Sequence, residues 1–343
     1  MAVAASQREA EHLRGIVDMG SNGIRFSIST LQPPTARIMP TLHQHRAGIS
    51  LYDAQYFTDG QRQPIGAATI VDVVTAFKQF KQTCQDFRVP EKHITVLATE
   101  ATRTAINSED FRKQIKDQTG WDVTMLPKEE EGRVGAMGIA SSLPEASGLV
   151  MDLGGGSTQL SWLVKKSDAS GIQMPSTGAV SMPYGAAAMS RRLAEAQATG
   201  KLEDLKQEIR STVRAAYDSL NVPTELQQQA ADKGGFSLYL SGGGFRGWGY
   251  VLMSQHRIQP YPIPVINGFA VSRSEFLATD VVRSAAVAAL DDEDDNIFRV
   301  SDRRASQVPA VALLVTAISE ALPQISEIRF CQGGVREGFL SAR

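Results

Sequence analysis

GIVDMGSNGIRFSI, Gly15 to Ile28, carries an apolar run, an aspartate, a short polar turn and a second alternating run. Alternation of this kind predicts two strands, Gly15 to Met19 and Ile24 to Ser29. Gly20-Ser21-Asn22-Gly23 joins them, its glycines allowing a tight reversal. The pattern returns in LVMDLGGGSTQLSW, Leu149 to Trp162. There a strand over Gly148 to Leu153 and a strand over Gln159 to Val164 flank Gly154-Gly155-Gly156-Ser157-Thr158. Both copies read apolar run, Asp, x, Gly, small polar residues, strand, which is a weak internal duplication.

Working outward, helical spacing covers Ala67 to Phe87, and Ile94 to Ala98 is a compact strand. Ser108 is expected to cap a helix that runs to Gln118 and stops at Gly120. Val123 to Leu126 is a further strand, and Glu129, Glu130 and Glu131 open a helix through about Ala140, where acids suit the positive end of the helix dipole. The second half mixes helices over Leu202 to Leu220 and Ala305 to Leu322 with strands over Phe236 to Leu240, Val265 to Phe269 and Glu327 to Phe330. The class is α/β.

The chain has 343 residues, 35 Lys and Arg against 37 Asp and Glu, a net charge of −2, and is 42% hydrophobic. Such a length suits about two domains, each able to bury its own core. No basic excess argues for nucleic-acid binding, and the one charge run, Asp291 to Asp295, is acidic and reads as a solvated loop. Two cysteines, Cys84 and Cys331, make no disulfide framework or zinc spacing, so a reducing compartment is expected. The first dozen residues have no signal-peptide pattern. The most apolar window, Val311 to Ile318, falls short of the roughly 18 residues needed to span a bilayer, so neither export nor membrane insertion is expected.

Backbone amides in each glycine-rich turn can converge on an anion, with Ser and Thr hydroxyls as further donors. Asp18 and Asp152, just ahead of the turns, suit Mg²⁺, a hard cation that prefers carboxylate and water oxygens. One such turn alone could be a plain hairpin; the pair suggests a phosphate clamp. Glu129, Glu130 and Glu131 read by themselves as a helix start with three solvated acids. His43 and His45 would share a strand face but have no third ligand nearby, and Tyr184 reads as a packing residue or as part of a cleft wall.

Seven ordered segments resemble the exopolyphosphatase and guanosine pentaphosphate phosphohydrolase (Ppx/GppA) family: GIVDMGSNGIRFSI, LATEATRTAIN (Leu97 to Asn107), EEEGRVGAMG (Glu129 to Gly138), LVMDLGGGSTQLSW, SMPYGA (Ser181 to Ala186), LSGGGFRG (Leu240 to Gly247) and GGVREGFL (Gly333 to Leu340). The resemblance implies two actin-like, ribonuclease H-like lobes with a cleft between them. Residues 1–143 would form the first, completed by the carboxy-terminal helix of 333–343, and residues 144–332 the second. It also implies Mg²⁺-dependent hydrolysis of a terminal phosphoanhydride in polyphosphate or a phosphorylated nucleotide. Glu131 would be the general base, with Glu129 and Glu130 as rivals, and Arg103 would contact the phosphate being cleaved, oriented by Glu100. Asp18 and Asp152 would hold metal, and Ser21, Asn22, Gly23, Gly155, Gly156, Ser157 and Thr158 would surround the phosphates. Arg25 sits at a family position whose role stays open.

DMGSNGIRFSIST, ARIMP, TQLSW, YPIPVINGFA, VSDRRA and GGVREG are similar to a fungal signalling branch of that family. This likeness implies a cytoplasmic sensor in mitochondria-to-nucleus signalling with a regulatory protein partner, and leaves a homodimer open. Three departures stand against simple transfer of the activity. Pro127-Lys128 replaces the usual Ser-Gly ahead of the acidic helix, removing a hydroxyl and a backbone donor. Gly242-Gly243-Gly244 corresponds to a later phosphate-facing turn, a loop of the family, and Phe245 and Arg246 follow it where small polar residues are usual, implying a different ligand contact there. Longer members add a helical domain after Arg-Glu-Gly, so either this member is short or the sequence is cut from a longer chain, the cut being the expectation. Enzyme and ligand-binding sensor both remain open, and a sugar-kinase reading ranks behind them because fold does not settle chemistry.

Overall fold

The computed structural model describes residues 8–57, 60–166, 171–258, 262–263, 265–280, 282–284 and 302–342. The acidic run Asp291 to Asp295 lies outside them. Packing divides the chain into two units, Met1–Pro127 and Lys128–Arg343.

In the first unit β1 (Leu13–Gly20), β2 (Gly23–Thr30), β3 (Thr41–Ala47), β4 (Ile94–Ala98) and β5 (Val123–Met125) form one sheet in the order β3-β2-β1-β4-β5. The first three strands are antiparallel, whereas β1, β4 and β5 run parallel. α1 (Ala67–Asp86) supplies the long crossover that parallel pairing requires. Period-two alternation puts Val17, Met19, Ile24, Phe26 and Ile28 on one face. There they are buried with Phe77 and Phe80 of α1 and with Phe111 and Ile115 of α3 (Ser108–Thr119); α2 (Glu100–Thr104) follows β4. Burial of a side chain such as Phe26 contributes about 1.5 to 3 kcal/mol.

Ser108 is the first residue of α3 and does not cap it. The preceding Asn107 instead exchanges two hydrogen bonds with the Ile65 backbone, at 2.8 and 2.9 Å. The far end follows the sequence: Gly120 takes the left-handed conformation at φ 79° and its amide closes on the Lys116 carbonyl.

The second unit repeats the plan. After α4 (Lys128–Ser142) come β6 (Ala146–Leu153), β7 (Thr158–Lys165), β8 (Ile172–Gln173), β9 (Val180–Met182), α5 (Ala186–Ala198), α6 (Leu202–Ser219), α7 (Thr224–Asp232), β10 (Phe236–Ser241), α8 (Gly242–Ser254), β11 (Ala270–Ser272), α9 (Arg273–Phe276), α10 (Asp302–Ala321), β12 (Ile325–Phe330) and α11 (Val335–Ser341). The sheet order is β11-β12-β10-β6-β7-β8, with β9 also pairing β7. β6, β7, β8, β10 and β12 therefore match β1, β2, β3, β4 and β5 in order and in direction. The duplication legible in the two Asp-x-Gly turns is thus a duplication of a whole α/β unit, each with the strand order of a ribonuclease H-like fold.

One face of the second sheet packs Leu149, Met151 and Leu153 of β6 against the helices that follow. The opposite face sets Val150, Leu163 and Tyr239 against Ala136, Ile139 and Ala140 of α4. α11 lies along α4 at a separation only glycine permits. A Cβ on Gly138 would fall 2.1 Å from the Gly334 carbonyl oxygen, and one on Gly338 would fall 1.7 Å from that of Val134. These contacts keep α4 and α11 together, but in the second unit; the expectation drawn from the resemblance had assigned both to the first.

Two elements differ from the sequence reading. Val265 to Phe269 is not a strand: Asn267-Gly268 turns, with Gly268 at φ 84°, and pairing starts only at Ala270. Gly242-Gly243-Gly244 is the first turn of a 13-residue helix, not a loop. Glycine there reflects packing, since a Cβ on Gly244 would strike Leu153 at 2.4 Å, and tertiary contact outweighs weak helix propensity. Among the described residues no helix is long and apolar enough to cross a membrane.

Candidate functional site

Each unit is built separately around its turn. In the first, Asp18 faces Arg25 across β1 and β2, a guanidinium nitrogen 3.8 Å from its carboxylate, with the aspartate side chain 13% exposed. Ser21 is buried, and its carbonyl accepts from the Tyr52 amide at 3.0 Å. Asn22 offers its carbonyl to Arg46 at 2.9 Å. A Cβ at Gly23 would lie 2.9 Å from Nε of that flexible arginine side chain.

Arg103 lies on α2, directly after β4. Its guanidinium donates to Glu100 at 2.7 Å and to the Leu126 carbonyl. Glu100 thus orients the arginine as the sequence suggested, and the same fork holds the exit of β5.

In the second unit the three consecutive glutamates separate. Glu129 is exposed. Glu130 accepts two bonds from Arg133 at 2.6 and 2.7 Å, which hold its carboxyl below the usual range. Glu131 is 9% exposed, facing into the unit from the first turn of α4. Gly135 is one helical turn further on, on the same side of α4 as Glu131. A Cβ built on Gly135 would sit 3.5 Å from Asp152 Oδ2. Asp152 follows Val150 by two residues and so points to the α4 face of the sheet, while Leu153 points away.

The turn after Asp152 closes through the Gly154 amide on the Ser157 carbonyl at 3.0 Å. Ser157 and Thr158 are buried. The Ser157 hydroxyl accepts from Gln159 Nε2 at 2.8 Å, and the Thr158 hydroxyl donates to the Tyr184 carbonyl at 2.8 Å. Gln159 registers opposite Asp152 and packs on Gly132, next to Glu131. Among the described residues the amides of Gly155, Gly156 and Ser157 meet no acceptor. The arrangement offers inward donors for an anion beside one or two carboxylates.

Several sequence candidates have other duties. Phe245 and Arg246 turn inward, Phe245 into the core and Arg246 donating to the Gln332 carbonyl at 3.0 Å. Tyr184 is buried, its hydroxyl donating to Glu208 at 3.1 Å and accepting from the Thr212 hydroxyl at 2.9 Å; burial raises its pKa. His43 stacks on Phe80 and His45 on Phe26. Sequence reasoning missed Gln159 and Gly242. A Cβ on Gly242, which sits at φ 88°, would fall 2.6 Å from Asp152 Oδ1. The signal for both was available only as their strand register and helix start relative to Asp152.

No group of three or more His, Cys, Asp or Glu that could hold a metal ion occurs among the described residues. Asp152, like Asp18 in the first unit, offers a single carboxylate, the kind of ligand Mg²⁺ takes together with substrate phosphate and retained water.

The two units share one α/β plan with a glycine turn behind each aspartate, and the chain belongs to the Ppx/GppA phosphatase family, whose model matches residues 31–342. It is 43% identical over 334 residues to Retrograde regulation protein 2 of Saccharomyces cerevisiae, covering 96% of this chain and 55% of that one. It is also 37% identical over 82 residues to a guanosine-5'-triphosphate,3'-diphosphate pyrophosphatase of Photobacterium profundum, covering 24% of this chain and 16% of that protein. The chain spans about half the length of the yeast protein and less of the bacterial one. In fold it resembles the Aquifex aeolicus PPX-GPPA enzyme, with a TM-score of 0.67 at 20% identity over 96% of this chain and 99% of that chain. An exopolyphosphatase from Cytophaga hutchinsonii gives 0.65 at 17% identity over 96% and 98%.

Proposed function

We propose that the chain binds polyphosphate or a phosphorylated nucleotide and hydrolyses its terminal phosphoanhydride. The observation that carries this reading is the Asp152 carboxylate lying against Gly135, one turn of α4 beyond buried Glu131. Glu131 of α4 and Asp152 of β6, which packs on the same face of α4, beside a turn whose backbone amides can take an anion, suit water attack on a phosphoryl group. Glu131 accepts the proton of the attacking water, and the amides of Gly155, Gly156 and Ser157 hold phosphate oxygens. Asp152 would hold Mg²⁺, which when bound offsets phosphate charge. In the first unit Asp18 takes the corresponding metal role, Ser21, Asn22 and Gly23 the corresponding phosphate role, and Arg103 binds phosphate oxygens in pairs.

A second reading is a cytoplasmic ligand sensor that controls a regulatory protein in mitochondria-to-nucleus signalling, with catalysis slow or lost. The 43% identity to Retrograde regulation protein 2 and the Pro127-Lys128 pair ahead of α4 favour it. One sample decides between them. Melting temperature is measured with ATP, GTP, guanosine tetraphosphate and polyphosphate, each with and without Mg²⁺, and phosphate release is measured alongside. Stabilisation with turnover at about 1 s⁻¹ or more supports the hydrolase, because enzymes usually work in that range or above. Stabilisation without repeated turnover supports the sensor. No stabilisation by any of the four overturns both.

A further inference from the structure

The glycine turn after Asp152 is docked on the amino end of α5. The Ala186 amide donates to the Gly154 carbonyl at 2.9 Å, and the Ala187 and Ala188 amides donate to the Gly155 carbonyl at 2.9 and 3.1 Å. The first amides of a helix have no partner within it, so these bonds satisfy both the helix and the turn. They also fix which way the turn faces: with the carbonyls of Gly154 and Gly155 drawn to α5, the following amides are left for something else. An anion-binding turn needs that polarity, since a carbonyl facing a phosphate would repel it.

Two residues make the docking close. At Gly185 a Cβ would fall 2.3 Å from the Gly155 carbonyl oxygen and from the Gly156 nitrogen, so any side chain pushes α5 off the turn. Thr158, wholly buried, ties the start of β7 to the Tyr184 carbonyl at 2.8 Å, immediately before Gly185. Having given its proton to Tyr184, that hydroxyl has none left to give a phosphate.

We propose that Gly185 and Thr158 are positioning residues for the phosphate turn, acting through the α5 amides, and that Thr158 serves by this bond and not by donating its hydroxyl to ligand. The inference rests on the proposed phosphate-binding role of the turn. Its geometric half is read without ligand, by hydrogen exchange of the Ala186, Ala187 and Ala188 amides. Thr158→Val should speed their exchange at least tenfold, Thr158→Ser should restore slow exchange, and Thr119→Val, which removes an equally buried hydroxyl elsewhere, should leave it unaltered. Gly185→Ala should speed it further; should that variant fail to fold, the threonine pair still gives the answer. The functional half uses inorganic tripolyphosphate, whose dissociation constant should rise at least tenfold in Thr158→Val while the melting temperature of the unliganded protein moves little. Unchanged amide exchange in Thr158→Val overturns the positioning role whatever the ligand result. Faster exchange with unchanged tripolyphosphate affinity overturns the link to phosphate, and failure of the unaltered protein to bind tripolyphosphate overturns the phosphate reading itself.

Discussion

Gly242 leaves the space that the Asp152 carboxylate occupies. The Cβ of any other residue there would approach Oδ1 to 2.6 Å and the Leu153 carbonyl oxygen to 2.3 Å, and φ is 88°. Ser241, just before it, pairs with Asp152 in the β10 to β6 register, so the entry of α8 is set directly on the aspartate. Gly242→Ala should displace Asp152 and abolish Mg²⁺-dependent stabilisation by polyphosphate. Differential scanning fluorimetry with and without Mg²⁺ checks this, and undiminished stabilisation would contradict it.

Glu131→Gln should lower phosphate release roughly 10² to 10⁴-fold, the usual worth of a general base, with ligand affinity kept. Glu130→Gln should lower it far less, because Glu130 is already committed to Arg133. Steady-state release assays on the two variants separate the roles; equal losses would assign the base wrongly.

Glu337 sets an acid limit on stability. Burial works to raise its carboxyl, but Arg336 and the Gly334 amide outweigh it and the net shift is downward. A carboxyl lowered in the folded state contributes stability that is complete above the unfolded value of about 4.3 and is lost as pH falls through the folded value. Urea midpoints taken from pH 7 down to pH 3 should therefore fall less steeply in Glu337→Gln, which should also be the less stable protein at pH 7.

Both cysteines should be silent in the folded protein. Burial pushes the Cys84 and Cys331 thiols up to about 12, so the reactive thiolate is scarce at pH 8. A chromogenic disulfide reagent should titrate none of them natively and both in denaturant; rapid labelling without denaturant would refute the burial.

Gly138→Ala should cost about 1 to 3 kcal/mol or more, since overpacked side chains force backbone shifts and here the obstacle is the Gly334 backbone 2.1 Å away. A lower urea midpoint at unchanged slope is expected. Gly243→Ala, where a Cβ meets nothing within 4 Å, should be far milder.

The two hairpin turns were legible because strand alternation and glycine turns are local, repeating over a few residues. Gly15 to Ile28 and Leu149 to Trp162 accordingly fold as read, and their duplication foretold two similar sheets. The α8 start was misread because three glycines look like a loop unless Leu153 is known to press on Gly244. Val265 to Phe269 looked like a strand because Val265, Ile266 and Phe269 favour strands, yet the Asn267 side chain is drawn away to Ser142 and Gln332 and the backbone turns there.

From the amino-acid order alone came the α/β class, the paired Asp-x-Gly turns and the acidic start of α4, since all of these depend on neighbours within a few residues, whereas the roles expected of Glu131 and Arg103 came from the resemblance to the family. Tertiary structure alone enclosed Glu131 while leaving Glu129 exposed and pairing Glu130 with Arg133, set Asp152 beside Gly135, and turned the Gly154 and Gly155 carbonyls onto α5. The reason is physical: burial and backbone approach depend on which distant segment fills the space opposite, and three adjacent glutamates have the same chemistry until one of them is enclosed.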